Sequence, residues 1–381
     1  MRSISVIVPV YYGAGYVPGV IRQIEDCRGY LEETDYLELL LVNDAPDDPL
    51  FYDGQGRDIS IKVLNTEINR GIHGARVRGL RECQGEYVLF LDQDDRIKPE
   101  YFHSQLQALG IHDASVCKAI DAGKEYYADE RAFQNIACKE FVLENWNQII
   151  SPGQVLLRRD AIPPVWTENI MENNGADDWL LWLCMMAEGR KFSLNKDILY
   201  EHVSHGTNAS ENIVGMARSE HELLRIIQEN KIFSGNDLRL LMEGFSLRNL
   251  VRAQEMNALK RKMELLDRWM KLRERGVYYG AFLSSLGIKS TVVYGCGMLG
   301  RHLVSELNAF VQVKGFIDRN AGEIKSEMPI YTFDEPWPEA DCVIVSLLEA
   351  EKVEKAIKAK TGKRVLALKD WIMEADKGKT I

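Results

Sequence analysis

Four short apolar runs in the first 92 residues, each closed by polar residues, constrain this chain more than any other feature. Ser3–Val10 reads SISVIVPV, 36–44 reads YLELLLVND, 58–65 reads DISIKVLN and 85–92 reads GEYVLFLD. Between the last two, GIHGARVRGLREC has the apolar spacing of a helix. The runs are nearly continuous rather than alternating, and strands buried on both faces and separated by helices belong to a mostly parallel sheet. In such sheets ligands sit beyond the carboxyl ends of the strands. Those ends carry Pro9 with Tyr11 and Tyr12, Asn43 with Asp44, and Asp92 with Asp94 and Asp95.

The periodicity then changes twice. Residues 111–210 hold a strand in QVLLRR and a helix in DDWLLWLCMMAEG. Beyond Glu211 the pattern is helical and charged, and AQEMNALKRKMELLDRWMKLRERG predicts a helical hairpin packed on the first domain with a solvated outer face. Its basic surplus makes it the candidate for a peripheral membrane contact. At Thr291 strand and helix signals return: STVVYGCGMLGRHLVSELNAF is strand, glycine turn and helix, followed by strands in VKGFID, ADCVIVSL and KRVLAL. The expected fold class is α/β, with a mostly parallel sheet domain at 1–210, a helical connecting region at 211–285 and a small Rossmann-like α/β domain at 286–381.

Composition narrows the class of partner. A formal charge of −10 argues against a nucleic-acid binder, which needs clustered Lys and Arg to displace phosphate counterions. The seven cysteines are odd in number, widely spaced and set mostly among apolar neighbours, as buried reduced thiols are. The chain opens directly into a strand-like run, and nothing approaches about 18 uninterrupted apolar residues. A cytoplasmic protein, at most peripheral on the inner face of a membrane, is the expectation.

The sharpest chemical feature is LDQDD at 91–95. Crowding three carboxylates at a strand end is costly unless a cation neutralises them, and Mg²⁺ or Mn²⁺ takes oxygen ligands while leaving positions for phosphates. The bland alternative is a solvated turn capping the helix after Pro99. Asp44 in VNDAPDDP closes a neighbouring strand, where it suits accepting an N–H from a base; the alternative there is an Asx turn before Pro46.

SVIVPVYY, VNDAPDDP, NRGIHGARVRGL and GEYVLFLDQDD followed by KPEYF, in that order and spacing, resemble the nucleotide-binding half of family 2 glycosyltransferases of the GT-A fold. The resemblance is strong over about the first 105 residues and continues to about 210, where GADDWLLWLCMMAEG is similar to the acceptor-side acidic motif and LYEHVSHGTNAS to the closing histidine segment. It implies a nucleotide-sugar site of Pro9, Val10, Tyr11, Asp44, Arg70, Gly74, Asp92 and Gln93, with Asp44 on a uracil N–H, which favours a UDP-sugar donor. It further implies a metal on Asp94 and His205, although His202 lies three residues away, and a general base at Asp178. Asp177 stands where many members carry Glu. The implied reaction is an inverting single displacement onto a hydroxyl of a glycan or lipid-linked acceptor. Processive relatives carry a Gln and an Arg-Trp pair; here Arg268 and Trp269 follow Leu265, which implies a non-processive enzyme.

Gly295, Gly297 and Gly300 form GxGxxG between a strand and a helix, with Asp318 at the end of the next strand. That is the pattern of a dinucleotide site, and the alternative is glycines serving only the turn and helix packing. Two further function classes stay open at this level. One is an NAD(P)-linked or bifunctional enzyme acting on sugar nucleotides, which would retain dinucleotide. The other is a non-catalytic sugar-nucleotide-binding subunit, which would be indifferent to Asp178→Asn.

Overall fold

A computed structural model describes residues 1–52, 58–127, 129–203, 212–322 and 324–377. Contacts divide the chain into two units, Met1–Asn249 and Leu250–Ile381.

In the first unit the four apolar runs are strands β1 (Ser3–Val10), β2 (Tyr36–Asn43), β3 (Ser60–Asn65) and β4 (Tyr87–Phe90). They pair in parallel in the order β3-β2-β1-β4. The period of two along a strand explains their composition. Leu40 and Val42 point into one core, with Ala75, Val77 and Trp179, while Leu39 and Leu41 point into a second, with Val20, Ile24 and Tyr101. Both faces are therefore apolar, and each fully buried aliphatic side chain contributes roughly 1.5–3 kcal/mol. The helices Val17–Arg28 and Tyr101–Leu109 cover one face; Gly71–Glu82 and Asp177–Ala187 cover the other.

Beyond β4 the sheet turns mixed. β5 (Arg96–Ile97), β6 (Ala114–Asp121), β7 (Lys124–Glu125), β8 (Val155–Arg158) and β9 (Phe192–His202) complete it among the described residues. β8 lies antiparallel to both β4 and β6, and β9 runs parallel to β6. The switch in direction brings the loop before β8 and the chain leaving β9 to the carboxyl ends of β1, β2 and β4.

QVLLRR is a strand, as expected, and it runs antiparallel, a direction that a short apolar run does not encode. One expectation is corrected: the stretch read as a helical hairpin lies in one uninterrupted helix, Gly235–Glu274. Gly244 lies inside it at a close approach, where a Cβ would stand 2.5 Å from the Glu144 carbonyl oxygen and 2.7 Å from that of Leu143. It is a close-approach glycine rather than a helix end.

The second unit contains a parallel sheet of β10 (Ser290–Tyr294), β11 (Gln312–Ile317), β12 (Ile330–Tyr331), β13 (Cys342–Val345) and β14 (Arg364–Ala367) in the order β12-β11-β10-β13-β14. Arg268 and Trp269 serve this unit's structure. The Trp269 indole donates to buried Glu306 (3.1 Å) and Arg268 pairs with Asp376 (2.9 Å). All seven cysteines are free and only Cys138 is exposed.

Gly79 sets the height of helix Gly71–Glu82 over the sheet, since a Cβ there would lie 2.4 Å from Ile7 Cγ2 and 3.1 Å from Val42 Cγ2. Gly79→Val should lower stability by about 1–3 kcal/mol in a urea titration, the usual cost of overpacking; an unchanged midpoint would show that the helix can lift freely.

Candidate active site

The strand ends open into one cavity of about 550 Å³. Pro9, Val10 and Tyr11 close β1, Asp44 follows β2, and Asp92, Gln93 and Asp94 follow β4; all line it together with Asp178. Seven of the eight are thus brought together by the parallel half of the sheet, and Asp178 arrives from the first turn of helix Asp177–Ala187.

Asp44 is buried, and its backbone N–H donates to the Val10 carbonyl (2.8 Å), which ties the ends of β1 and β2 together. Its carboxylate accepts the Arg70 backbone N–H at 3.0 and 3.1 Å and the Thr66 hydroxyl at 3.2 Å. Burial pushes its pKa above the ordinary carboxylate value against the pull of these donors. Two carboxylate oxygens offer about four acceptor directions, so capacity remains for a ligand donor. Arg70 therefore meets the site through its backbone, and Arg70 and Gly74 are not among the cavity's lining residues. Gly74 instead lets the helix turn pack on Arg70, whose Cβ would lie 2.5 Å from an added Cβ.

The acidic run splits into separate tasks. Asp92 accepts from Arg76 (2.6 Å) and from the Ser151 hydroxyl (3.1 Å). Gln93 folds onto the turn after β1, accepting the Tyr11 backbone N–H at 3.2 Å and filling the space a Cβ on Gly13 would need. Asp95 is buried in the cavity wall, accepting the Tyr200 hydroxyl and the Val203 N–H (2.9 Å). Burial and then the charge of Asp92 push its pKa up. Asp94 lines the cavity wall beside Asp92 and Asp95. Among the described residues no three His, Cys, Asp or Glu side chains gather to hold an ion. The donor set suits Mg²⁺ or Mn²⁺, which are bound through one or two carboxylates with substrate phosphates supplying the rest. His202 lines the cavity and its Nδ1 lies 3.0 Å from Asp121. His205 lies outside the described residues.

Arg76 is the residue that sequence reasoning missed. The residue is 3% exposed, and its guanidinium bridges Asp92 (2.6 Å) and Asp177 (2.7 Å). Burial alone would depress its pKa; the carboxylates of Asp177 and Asp92 reverse that and hold it fully charged. Sequence offered one usable signal: His73, Arg76, Val77 and Leu80 share a helix face by their spacing, and that face is the buried one. Asp177 thereby acquires a structural partner, which fixes the start of the helix that presents Asp178.

Asp178 itself is buried and accepts the Trp179 N–H (2.7 Å) and the Asn147 side-chain amide (2.9 Å). Burial, then the charge of Asp177, pushes its pKa up to about 7. The loop leading to it is held from behind. Glu222 accepts the backbone N–H groups of Glu172 and Asn173, each at 2.9 Å, and the Asn173 amide at 2.8 Å, while the Ser219 hydroxyl accepts the Ala176 N–H (3.0 Å).

In the second unit the glycine turn is accounted for by packing. A Cβ on Gly300 would collide with the Gly295 carbonyl oxygen at 1.9 Å, and Gly295 has φ +100°. Asp318 accepts the Cys296 N–H (2.8 Å) and the Asn320 N–H (3.1 Å), so its carboxylate closes the turn. Gly297 has open space around it.

Residues 5–166 match the family described as Glycosyl transferase family 2. An uncharacterized glycosyltransferase of Haemophilus influenzae is 25% identical over 149 residues, covering 37% of this chain and 49% of its own. The putative glycosyltransferase EpsH of Bacillus subtilis is 27% identical over 179 residues, 42% of this chain and 50% of its own. This chain spans about half the length of the curated relatives it matches. A crystal structure of S. aureus TarS in complex with UDP-GlcNAc aligns with a TM-score of 0.47 at 18% identity, over 64% of this chain and 72% of that one.

Removing one member of a buried ion triad leaves uncompensated charge, which typically costs about 3–5 kcal/mol. Arg76→Ala should lose stability on that scale in chemical denaturation, and Arg76→Lys, a point charge unable to fork between two carboxylates, should recover only part of it. Wild-type stability in Arg76→Ala would show that Asp92 and Asp177 do not depend on the bridge.

Proposed function

We propose, on the match of residues 5–166 to the Glycosyl transferase family 2 model, that the chain transfers a sugar from a nucleoside-diphosphate donor, a UDP-sugar in the favoured case, to an acceptor hydroxyl on a glycan or lipid-linked carrier. The observation that carries this reading is the convergence of Asp44, Asp94 and Asp178 on one cavity. Asp44, with acceptor capacity left over, takes the N–H of the base, and the end of β1 lines the nucleoside. Asp94 is the protein ligand for a divalent cation, which when bound offsets the charge developing on the departing diphosphate.

Asp178 takes the proton of the attacking hydroxyl. A general base works best with a pKa near the working pH, and a buried carboxyl at about 7 meets that condition where an exposed one near 4 does not. The Trp179 N–H and the Asn147 amide fix its two oxygens. One base and direct attack imply inversion at the anomeric carbon and a single addition per encounter. The glycine turn of the second unit enters only as structure, and a dinucleotide there would be a separate binding event.

A thermal-shift panel of UDP-, GDP- and TDP-sugars with and without Mn²⁺ tests the donor assignment. A ligand at about 100 times its Kd adds about 2.7 kcal/mol. One nucleotide class should raise the melting temperature only with metal, and Asp94→Asn should erase the metal-dependent part; indifference of every class to Mn²⁺ would refute the assignment.

Asp178→Asn should bind donor as the wild type does yet lower kcat by about 10²–10⁴-fold, the usual contribution of a positioned base. Wild-type kcat/KM should fall about tenfold per pH unit below about 7 as the base protonates. The sign for stability is opposite. The carboxyl binds its proton more tightly folded than unfolded, so ionising it as pH rises through about 7 costs stability. The melting temperature of Asp178→Asn should therefore gain on that of the wild type between pH 6 and pH 8, a gain that a merely structural carboxylate of ordinary pKa would not show.

A further inference from the structure

Among the described residues of the second unit, the helix Gly235–Glu274 presents a largely exposed apolar stripe, covered only at Leu266, which packs partly against that unit's core. Within the second unit, Met256, Leu259, Met263 and Met270 are 48%, 51%, 63% and 52% exposed, and half-buried Leu266 falls between them. At 3.6 residues per turn these five positions lie on one side of the helix, and their spacing of three, four, three and four is the a/d pattern of a coiled-coil seam. Leu265, Trp269 and Leu272, which pack into this unit's core, point about 130° away. Met256, Leu259, Met263 and Met270 therefore form a second apolar face, which meets the core-facing one at Leu266.

The charges beside the stripe show what fits it. On one flank lie Glu255 and Lys262, and on the other Lys260 and Asp267. In a parallel pair of such helices each residue of the first flank meets the partner residue five positions later on the second. That sets Glu255 against Lys260 and Lys262 against Asp267, four opposite-charge contacts across a twofold axis. An antiparallel pairing that matches Met256 with Leu266 would instead bring Lys260 to Lys260 and Lys262 to Lys262. A helix lying on an anionic membrane surface carries basic residues along its polar edges; here each edge also carries an acid.

We propose that segment 256–270 pairs in parallel with the same segment of a second copy of this chain, forming a short two-stranded coiled coil. Asp267 now pairs with Lys271 on its own helix, with both side chains more than 60% exposed. Exposed pairs of that kind are weak and exchange readily, so the acid is available to the partner's lysine. Just over two heptads bury less than a standard stable interface, which makes this a reversible, concentration-dependent dimer. The three methionines at the seam supply adaptable packing rather than a rigid fit.

Sedimentation velocity of the full chain between roughly 1 and 200 μM tests this by mass action. The weight-average mass should climb from 43.5 kDa towards twice that value. Met263→Glu should stay monomeric with an unchanged circular-dichroism melt. Lys262→Glu, which sets an acid against Asp267, should weaken the dimer about tenfold or more, and adding Asp267→Lys should restore it to within about threefold. The proposal is overturned by a chain that stays monomeric throughout, including one that then binds anionic vesicles through this helix. A dimer indifferent to Met263→Glu, or a charge swap that fails to restore it, overturns the proposal as well.

Discussion

The site depends on one buried guanidinium. Arg76 reaches from helix Gly71–Glu82 to Asp92 at the end of β4 and to Asp177 at the start of the helix that carries Asp178. Three elements remote in sequence are thereby fixed to one another by charge-assisted hydrogen bonds, the strong class of such bonds. Desolvating three ionised groups is expensive, and apolar residues of the same volume could pack as stably. What the triad supplies is placement. It aligns the acidic strand end with Asp178 across the cleft, and a wrong register of either element leaves a buried charge without a partner.

The remaining polar groups share that division between anchoring and chemistry. Asp95 and Asp177 are spent on structure, the first against Tyr200 and Val203, the second against Arg76. Both line the cavity as well, beside Asp44, Asp94 and Asp178. Their neighbours are held by rigid donors: the Arg70 N–H on Asp44, the Asn147 amide on Asp178, and Ser219 and Glu222 on the loop before the base. Preorganised side chains of this kind lose little freedom on meeting a ligand, which favours both affinity and orientation.

The strands and their polar ends were legible because period and chemistry agree there: continuous apolar runs, then Asp44 and Asp92–Asp95 where a parallel sheet puts its ligands. The antiparallel direction of β8 was not legible, since VLLR reads alike in either direction. Arg76 stayed hidden for a different reason. An arginine within a run of Arg70, Arg76, Arg78 and Arg81 reads as a solvated face, and only its partners about 16 and 101 residues away make it a buried bridge. Ser219 and Glu222 left no motif, because what they bind is backbone.

The account stands on a nucleotide lying across the carboxyl ends of β1, β2 and β4 with its diphosphate directed to Asp94. A crystal structure of the chain grown with UDP and Mn²⁺ measures this directly. It should place the base against Asp44, the metal between the diphosphate and Asp94, and open space between the terminal phosphate and Asp178. A nucleotide ordered elsewhere, in the glycine turn of the second unit for instance, with this cleft empty, would contradict it.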